Sequence, residues 1–199
     1  MNYTDKSERH ILNWLKDHLS EERLLHSIGA AQSAARLAKK FNQDEKKAYT
    51  AGLLHDCAKC LKKEDMLKIA VKLGLDKSEL SNFKLIHAPV SAYIAESEFG
   101  VKDKEILSSI RWHTLGRMNM SDFEKVVFLA DKIELNTRDL NYRERVLCVL
   151  EEENGLNKAL LICYEETIKS LIKRDMEICQ TTIDIYNSML KEYSRHCET

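Results

Sequence analysis

The sequence predicts an all-α fold, a single-domain bundle of several helices with a long helical segment at its C-terminal end. Two features of composition and one of pattern carry this expectation. Only six glycines and one proline occur in 199 residues, little turn-forming material for a strand-rich architecture. Hydrophobic residues at 44% and charged residues at 32% suit helices with one buried and one solvated face better than a disordered chain. Capping residues followed by apolar positions at helical spacing recur along the chain, and no Ser-, Gly- or Pro-rich linker divides it.

Taken in order, Thr4 or Asp5 caps a first helix running to about Leu19, with Ile11, Trp14, Leu15 and His18 along one face. Ser20 caps a second that runs to about Phe41; Glu21 and Glu22 lie in its first turn, but Arg23 at the third position removes the acidic half of a capping box. Asp44 opens EKKAYTAGLLHDCAK, whose apolar stretch from Ala51 to Leu54 delivers His55 and Asp56 at a helix end. MLKIAVKLG reads as a helix stopped by Gly74, and PVSAYIAESEFG as one started at Pro89 and stopped by Gly100. Asp103 begins KEILSSIRWHTLG, and Ser121 with Glu124 forms a capping box for DFEKVVFLADKIEL. From Asn157 to about Tyr193 an amphipathic pattern carries Leu160, Tyr164, Ile168, Leu171, Ile183, Tyr186 and Leu190, as one helix or two. Internal repeats and low-complexity tracts are absent from the sequence.

Charge narrows the function classes. Lys plus Arg at 31 against Asp plus Glu at 32 leaves a net charge of -1, which gives no global electrostatic reason for binding nucleic acid or a membrane surface. The N-terminal stretch lacks an apolar signal core, and no segment approaches the roughly 20 apolar residues that span a bilayer. A cytoplasmic protein is expected, with its six cysteines as reduced thiols.

The chemistry concentrates in a few ionisable residues. His55 and Asp56 are adjacent potential ligands that can converge on one ion, and a carboxylate can bridge two. His26 lies mid-helix among Leu24, Leu25, Ile28, Ala30 and Ala31, and Asp131 lies inside VVFLADKIEL, where an unpaired carboxylate is costly. A salt bridge to Lys or Arg accounts for each taken singly; a shared metal accounts for all four together. This donor set suits iron, manganese or zinc. His87 in LIHAPV and His113 in RWHTLG, each beside an expected helix boundary, hold a second ion with Asp56 as bridge, bind phosphate oxygens directly, or serve as capping or core histidines. Arg23 is three residues before His26 and Lys59 four after His55, so each pair shares a helix face if its helix continues. The C-x-x-C of Cys57 and Cys60 has no second C-x-x-C to complete a zinc site, and an incidental role is expected for it.

His26, then His55-Asp56, then Asp131 on successive helices resembles the H…HD…D signature of HD-domain phosphohydrolases. The stretches RLLHSIGAAQSAARLA, AGLLHDCAK, IHAPVSAYIA and WHTLGRMNMSDFEKVVFLADKIE look like the YqeK family, bacterial HD hydrolases that split diadenosine tetraphosphate symmetrically into two ADP. The likeness spans about residues 23–138. It implies an HD-type metal-binding core over about 20–140 and a C-terminal helical extension over about 141–199. His26, His55, Asp56 and Asp131 match the family's metal ligands, with iron the usual metal, as one or two ions, and manganese or another divalent ion as alternatives. His87, His113 and Thr114 match positions near a second ion or the phosphates, Lys59 the lysine of the HDxAK motif, and Arg23 an arginine one turn before the first ligand. Asp56, Lys59, His87 and His113 are the catalytic candidates, with His26 and Asp131 also near substrate.

The resemblance has one departure. The family continues after its last aspartate as Ile-Glu-Pro-x-Arg, whereas this chain reads Ile133-Glu134-Leu135-Asn136-Thr137-Arg138, which places Arg138 one residue late. CQTTIDIYN resembles the family's nucleotide-facing stretch and offers Gln180, Thr181 and Thr182. The activity implied is attack of a metal-activated water on a β-phosphate, with ADP leaving, or GDP from a guanine counterpart. The residues alone also admit another HD nucleotidase or phosphodiesterase, a diiron oxygenase, or a nucleotide-binding regulator without catalysis. A nucleotide is the expected partner, neither nucleic acid nor a membrane is, and a homodimer is left open.

Overall fold

The computed structural model describes residues 3–75, 80, 82–136 and 138–197, and among these it contains ten helices and no strand. They are α1 (Glu8–His18), α2 (Glu21–Lys40), α3 (Glu45–Leu54), α4 (Lys63–Lys72), α5 (Phe83–Ser97), α6 (Lys104–Trp112), α7 (Asp122–Ile133), α8 (Leu140–Val149), α9 (Gly155–Lys173) and α10 (Gln180–Cys197).

Most starts follow the capping logic of the sequence. Ser20, Asp44 and Asp103 each accept a backbone N–H two or three residues on, at the heads of α2, α3 and α6. At α7 the reciprocal box is complete: Ser121 Oγ accepts from Glu124 N (3.2 Å) and Glu124 Oε2 accepts from Ser121 N (2.9 Å). Arg117 donates through both Nε and Nη2 to the same carboxylate, which is held below its usual pKa against burial by Arg117 and Ser108. Gly74 and Gly100 follow α4 and α5 at φ of 71° and 67°, the left-handed geometry that ends a helix.

Two expectations are corrected, one helix is added, and one open alternative is decided. Ser7, rather than Thr4 or Asp5, caps α1: its hydroxyl accepts the His10 N–H (3.2 Å), while Thr4 Oγ1 donates to Lys6 O and the Asp5 N–H to Phe99 O (2.9 Å), which holds that segment outside the helix. Helix α5 begins at Phe83, so Pro89 lies inside it and His87 is mid-helix rather than at a boundary. Burial of Ile86 and Val90 on its inner face outweighs the one N–H that proline removes. Helix α8 was not foreseen: among its residues only Val146 is buried, so it has almost no apolar period to read. The C-terminal pattern is two helices, broken where Asp175 adopts φ 51°.

The long helix α2 packs most extensively against α3 and α7, and α6 lies against α3, α5 and α7. The α2–α3 approach depends on Gly52, where a Cβ would meet Ala31 Cα at 2.8 Å and Ala30 O at 2.9 Å. Ala30, Ala31 and Ala34 supply the matching small face of α2. Helix α9 packs on α7 and α8, and α10 on α9. Tyr164 of α9 is buried, stacks on Phe128 of α7 and donates its hydroxyl to Leu115 O (2.7 Å). A side chain at Gly116 (φ 74°) would collide with that hydroxyl, so the loop after α6 is fitted to α9.

A methyl group at position 52 meets backbone, which cannot swing aside. Gly52→Ala is expected to lower the unfolding free energy by about 1–3 kcal/mol, read from the midpoint of a urea denaturation curve.

Candidate metal centre

The ends of two helices set the histidine geometry. Helix ends leave carbonyls without an intrahelical partner. At the end of α3, His55 Nδ1 donates to Gly52 O (2.7 Å), and at the end of α6, His113 Nδ1 donates to Ile110 O (2.7 Å). With the Nδ1 proton committed, each ring presents the lone pair of Nε2 inward. His26, from the middle of α2, has its Nδ1 3.1 Å from Glu134 Oε1 and likewise turns Nε2 inward.

These atoms form two adjoining groups. His26 Nε2 lies 3.2 Å from His55 Nε2 and 3.0 Å from Asp131 Oδ1, and His55 Nε2 is 3.7 Å from the same oxygen. His87 Nε2 lies 3.1 Å from His113 Nε2 and 3.0 Å from Asp56 Oδ1, with His113 Nε2 at 3.4 Å. Asp56 stands between them, since its Oδ2 is 3.8 Å from both His26 Nε2 and His55 Nε2 while Oδ1 faces the second group. All six side chains are buried.

The donor set fits a divalent metal. Nitrogen and oxygen ligands about 2.0–2.2 Å from one ion at near right angles stand about 3 Å apart, the spacing seen here. Two imidazole lone pairs facing each other at 3.1–3.2 Å repel unless a proton or a cation lies between them. His26, His55 and Asp131 can hold one ion, and His55, Asp56 and His113 also converge closely enough to do so.

The electrostatics agree. Burial works to raise the Asp131 and Asp56 carboxyls, yet both are held well below the usual carboxylate range: Asp131 by Lys132, His26, His55 and Arg138, Asp56 by His55, His113 and His87. Burial pushes His113 down to about 3, so its Nε2 stays an acceptor at neutral pH. His55 moves the other way: burial lowers it, but Asp56 and Asp131 prevail and raise it. The space between the two carboxylates is therefore one that attracts positive charge.

Four cations line the rim. Arg23 Nη1 is 3.4 Å from Asp56 Oδ2, Lys59 Nζ 3.6 Å from Asp56 Oδ1, Lys132 Nζ 2.5 Å from Asp131 Oδ2 and Arg138 Nη2 2.7 Å from Asp131 Oδ1. Helix α3 stops at Leu54, so Lys59 reaches the site through turns rather than a shared helix face, with Nζ 2.9 Å from His87 Nε2. Despite its shifted spacing, Arg138 reaches the centre and also donates Nε to Asp131 O (2.8 Å). Lys132 and Glu134 were not singled out from sequence; the signal for Lys132 is its adjacency to Asp131, and Glu134 gave none beyond its place in the motif. The C-x-x-C sulfurs have different surroundings: Cys57 is buried with its thiol pushed up to about 12, and Cys60 is exposed.

Thr114 joins the cluster to a cavity. Its Oγ1 is 3.2 Å from His87 Nε2 and 3.1 Å from His113 Nε2. It also lines a cavity of about 560 Å³ formed with Ile86, Pro89 and Trp112 on one side and Gln180 and Thr181 on the other. Thr182 instead points into the protein, 4% exposed.

A profile of the HD domain family matches residues 23–136. The protein named bis(5'-nucleosyl)-tetraphosphatase, symmetrical, of Halalkalibacterium halodurans is 37% identical over 183 residues, covering 91% of this chain and 96% of that one. The protein of the same name from Bacillus subtilis is 38% identical over 175 residues, covering 87% and 92%. A crystal structure from Clostridium acetobutylicum, described as a predicted HD superfamily hydrolase involved in NAD metabolism, superposes with a TM-score of 0.86 at 34% identity, covering 94% of this chain and 98% of that one.

Asp131→Asn keeps the shape of the ligand and removes its charge. It is expected to weaken Mn2+ binding by more than the roughly 10–100-fold typical of losing an outer partner, measured by titration calorimetry of the chelator-treated protein.

Proposed function

This chain belongs to the HD domain family, and on that premise we propose that it is a metal-dependent phosphohydrolase that cleaves diadenosine tetraphosphate symmetrically into two ADP. The observation that carries the reading is the ring of Arg23, Lys59, Lys132 and Arg138 around buried carboxylates, beside histidines that Thr114 contacts while also lining a cavity. A chain of four phosphates needs several cations beside the metal, and a volume of about 560 Å³ lies within the roughly 300–1,000 Å³ of small-ligand sites.

His26, His55, Asp56 and Asp131 hold the first ion, and Asp56, His87 and His113 are placed for a second. The His-plus-carboxylate donors suit iron, with manganese as an alternative. A bound divalent ion supplies Lewis acidity toward a phosphoryl oxygen and lowers the pKa of water.

The chain's own groups do the rest. Hydrolysis adds a water oxygen to one inner phosphorus and breaks its bond to the central bridging oxygen, which leaves with the other ADP. Asp56 Oδ1, which is buried and accepts no well-formed hydrogen bond, is placed to align that water. Lys59 and Arg23 offset charge on the phosphoryl oxygens, and the Thr114 hydroxyl and His87 Nε2 border the same space. Burial lowers the Lys59 pKa while Asp56 and Asp131 oppose the shift, so its charge depends on staying beside anions. Gln180 and Thr181 face a nucleoside in the cavity.

The test is chromatographic. Metal-loaded protein incubated with diadenosine tetraphosphate should release ADP alone; release of ATP with AMP, or no ADP while a mononucleotide or a nicotinamide dinucleotide turns over, would replace this substrate with another. Lys59→Ala should lower kcat by about 100-fold with metal content unchanged by elemental analysis.

A further inference from the structure

Gly29 occupies the middle of α2, a position where glycine weakens a helix relative to alanine. What lies opposite explains it. A Cβ there would stand 2.5 Å from Glu134 Oε2 and 2.9 Å from Asn136 Nδ2. Glu134 is fully buried and held at both ends: Oε1 faces His26 Nδ1 at 3.1 Å, and Oε2 accepts the Asn136 N–H at 2.6 Å. Asn136 in turn donates Nδ2 to Leu25 O (2.7 Å), which ties the loop after α7 back to the helix that carries His26. The carboxylate cannot make room for a side chain at position 29 without leaving His26.

We infer that Glu134 is a positioning residue of the metal centre, seated against Gly29 so that its carboxylate holds His26 in the Nδ1–H form and strengthens Nε2 as a donor. His55 and His113 rest their Nδ1 protons on neutral carbonyl oxygens. A carboxylate acceptor draws more electron density toward the metal-facing nitrogen than a neutral carbonyl does, so the Glu134 contact favours His26 Nε2 as a ligand in a way that the carbonyl contacts of His55 and His113 do not. The inference rests on the metal reading of the centre and is independent of the nucleotide.

Calorimetry with Mn2+ on the chelator-treated full chain tests it. Glu134→Gln keeps the size of the side chain but loses its charge and one of its two acceptor ends; the dissociation constant should rise about tenfold. Glu134→Ala and Gly29→Ala should weaken binding by roughly 10–100-fold. The double variant should bind no more weakly than Glu134→Ala alone, because the glycine acts through the carboxylate. Long-range 1H–15N spectra should show the Nδ1–H form of His26 in the parent protein and its loss in Glu134→Ala, a change that a purely structural glutamate would not produce. Unchanged Mn2+ affinity in both Glu134 variants overturns the inference, as does a Gly29→Ala effect that adds in full to Glu134→Ala. A parent protein that binds neither Mn2+ nor Fe2+ overturns the metal reading and this inference with it. No nucleotide enters the experiment, so a failure to release ADP bears on the substrate alone.

Discussion

Asp56 and Asp131 stand among apolar helices with 2% and 6% of their surface exposed, and as lone charges they would be costly there. Much of the architecture around them answers that cost. Histidines from α2, α3, α5 and α6 converge on them, and basic side chains reach in from the rim. The same arrangement that makes the anions tolerable makes the enclosed space hospitable to a cation. Stability and chemistry thus share one set of contacts, and a change at any member disturbs both.

Bringing four helices to one point requires that they approach closely, and small residues make this happen. Gly52 lets α3 lie on the backbone of Ala30 and Ala31, which sets His55 beside His26. The carbonyl of the same Gly52 then fixes the ring of His55. One residue therefore governs both how near the helices come and which nitrogen faces the centre. Carbonyls of the last helical turn, many of them ordinarily left to solvent, serve at α3 and α6 as the fixed points of the site.

The sequence was most legible where a buried polar residue interrupts an apolar helix. His26 and Asp131 stood out for that reason, His55 and Asp56 as an adjacent pair at a helix end, and the structure brings the four together. Caps at Ser20, Asp44, Asp103 and Ser121 were readable because each is a local bargain between one side chain and a neighbouring N–H. Helix α8 was not, because it lacks an apolar stripe, and the start of α5 was misplaced because tertiary burial overrode the signal of Pro89. Lys132 and Glu134 belong to the same limit: a charged residue on a helix or just beyond it is ordinarily solvated, and only the fold shows that these two turn inward. The candidate ligands were visible as anomalies, whereas the charged residues packed against them look ordinary in one dimension.

Thr114 is the residue shared by the histidine cluster and the lining of the cavity, whose far wall comes from the start of α10. Its loop is pinned from outside by Tyr164, which grips Leu115 and leaves no room at Gly116 for anything but hydrogen. The buried histidine cluster and the cavity therefore meet at a residue whose loop is held in place from α9. Side chains at 179–181 line that cavity without belonging to the histidine cluster, so substitutions there can reshape the cavity while the buried cluster keeps its contacts.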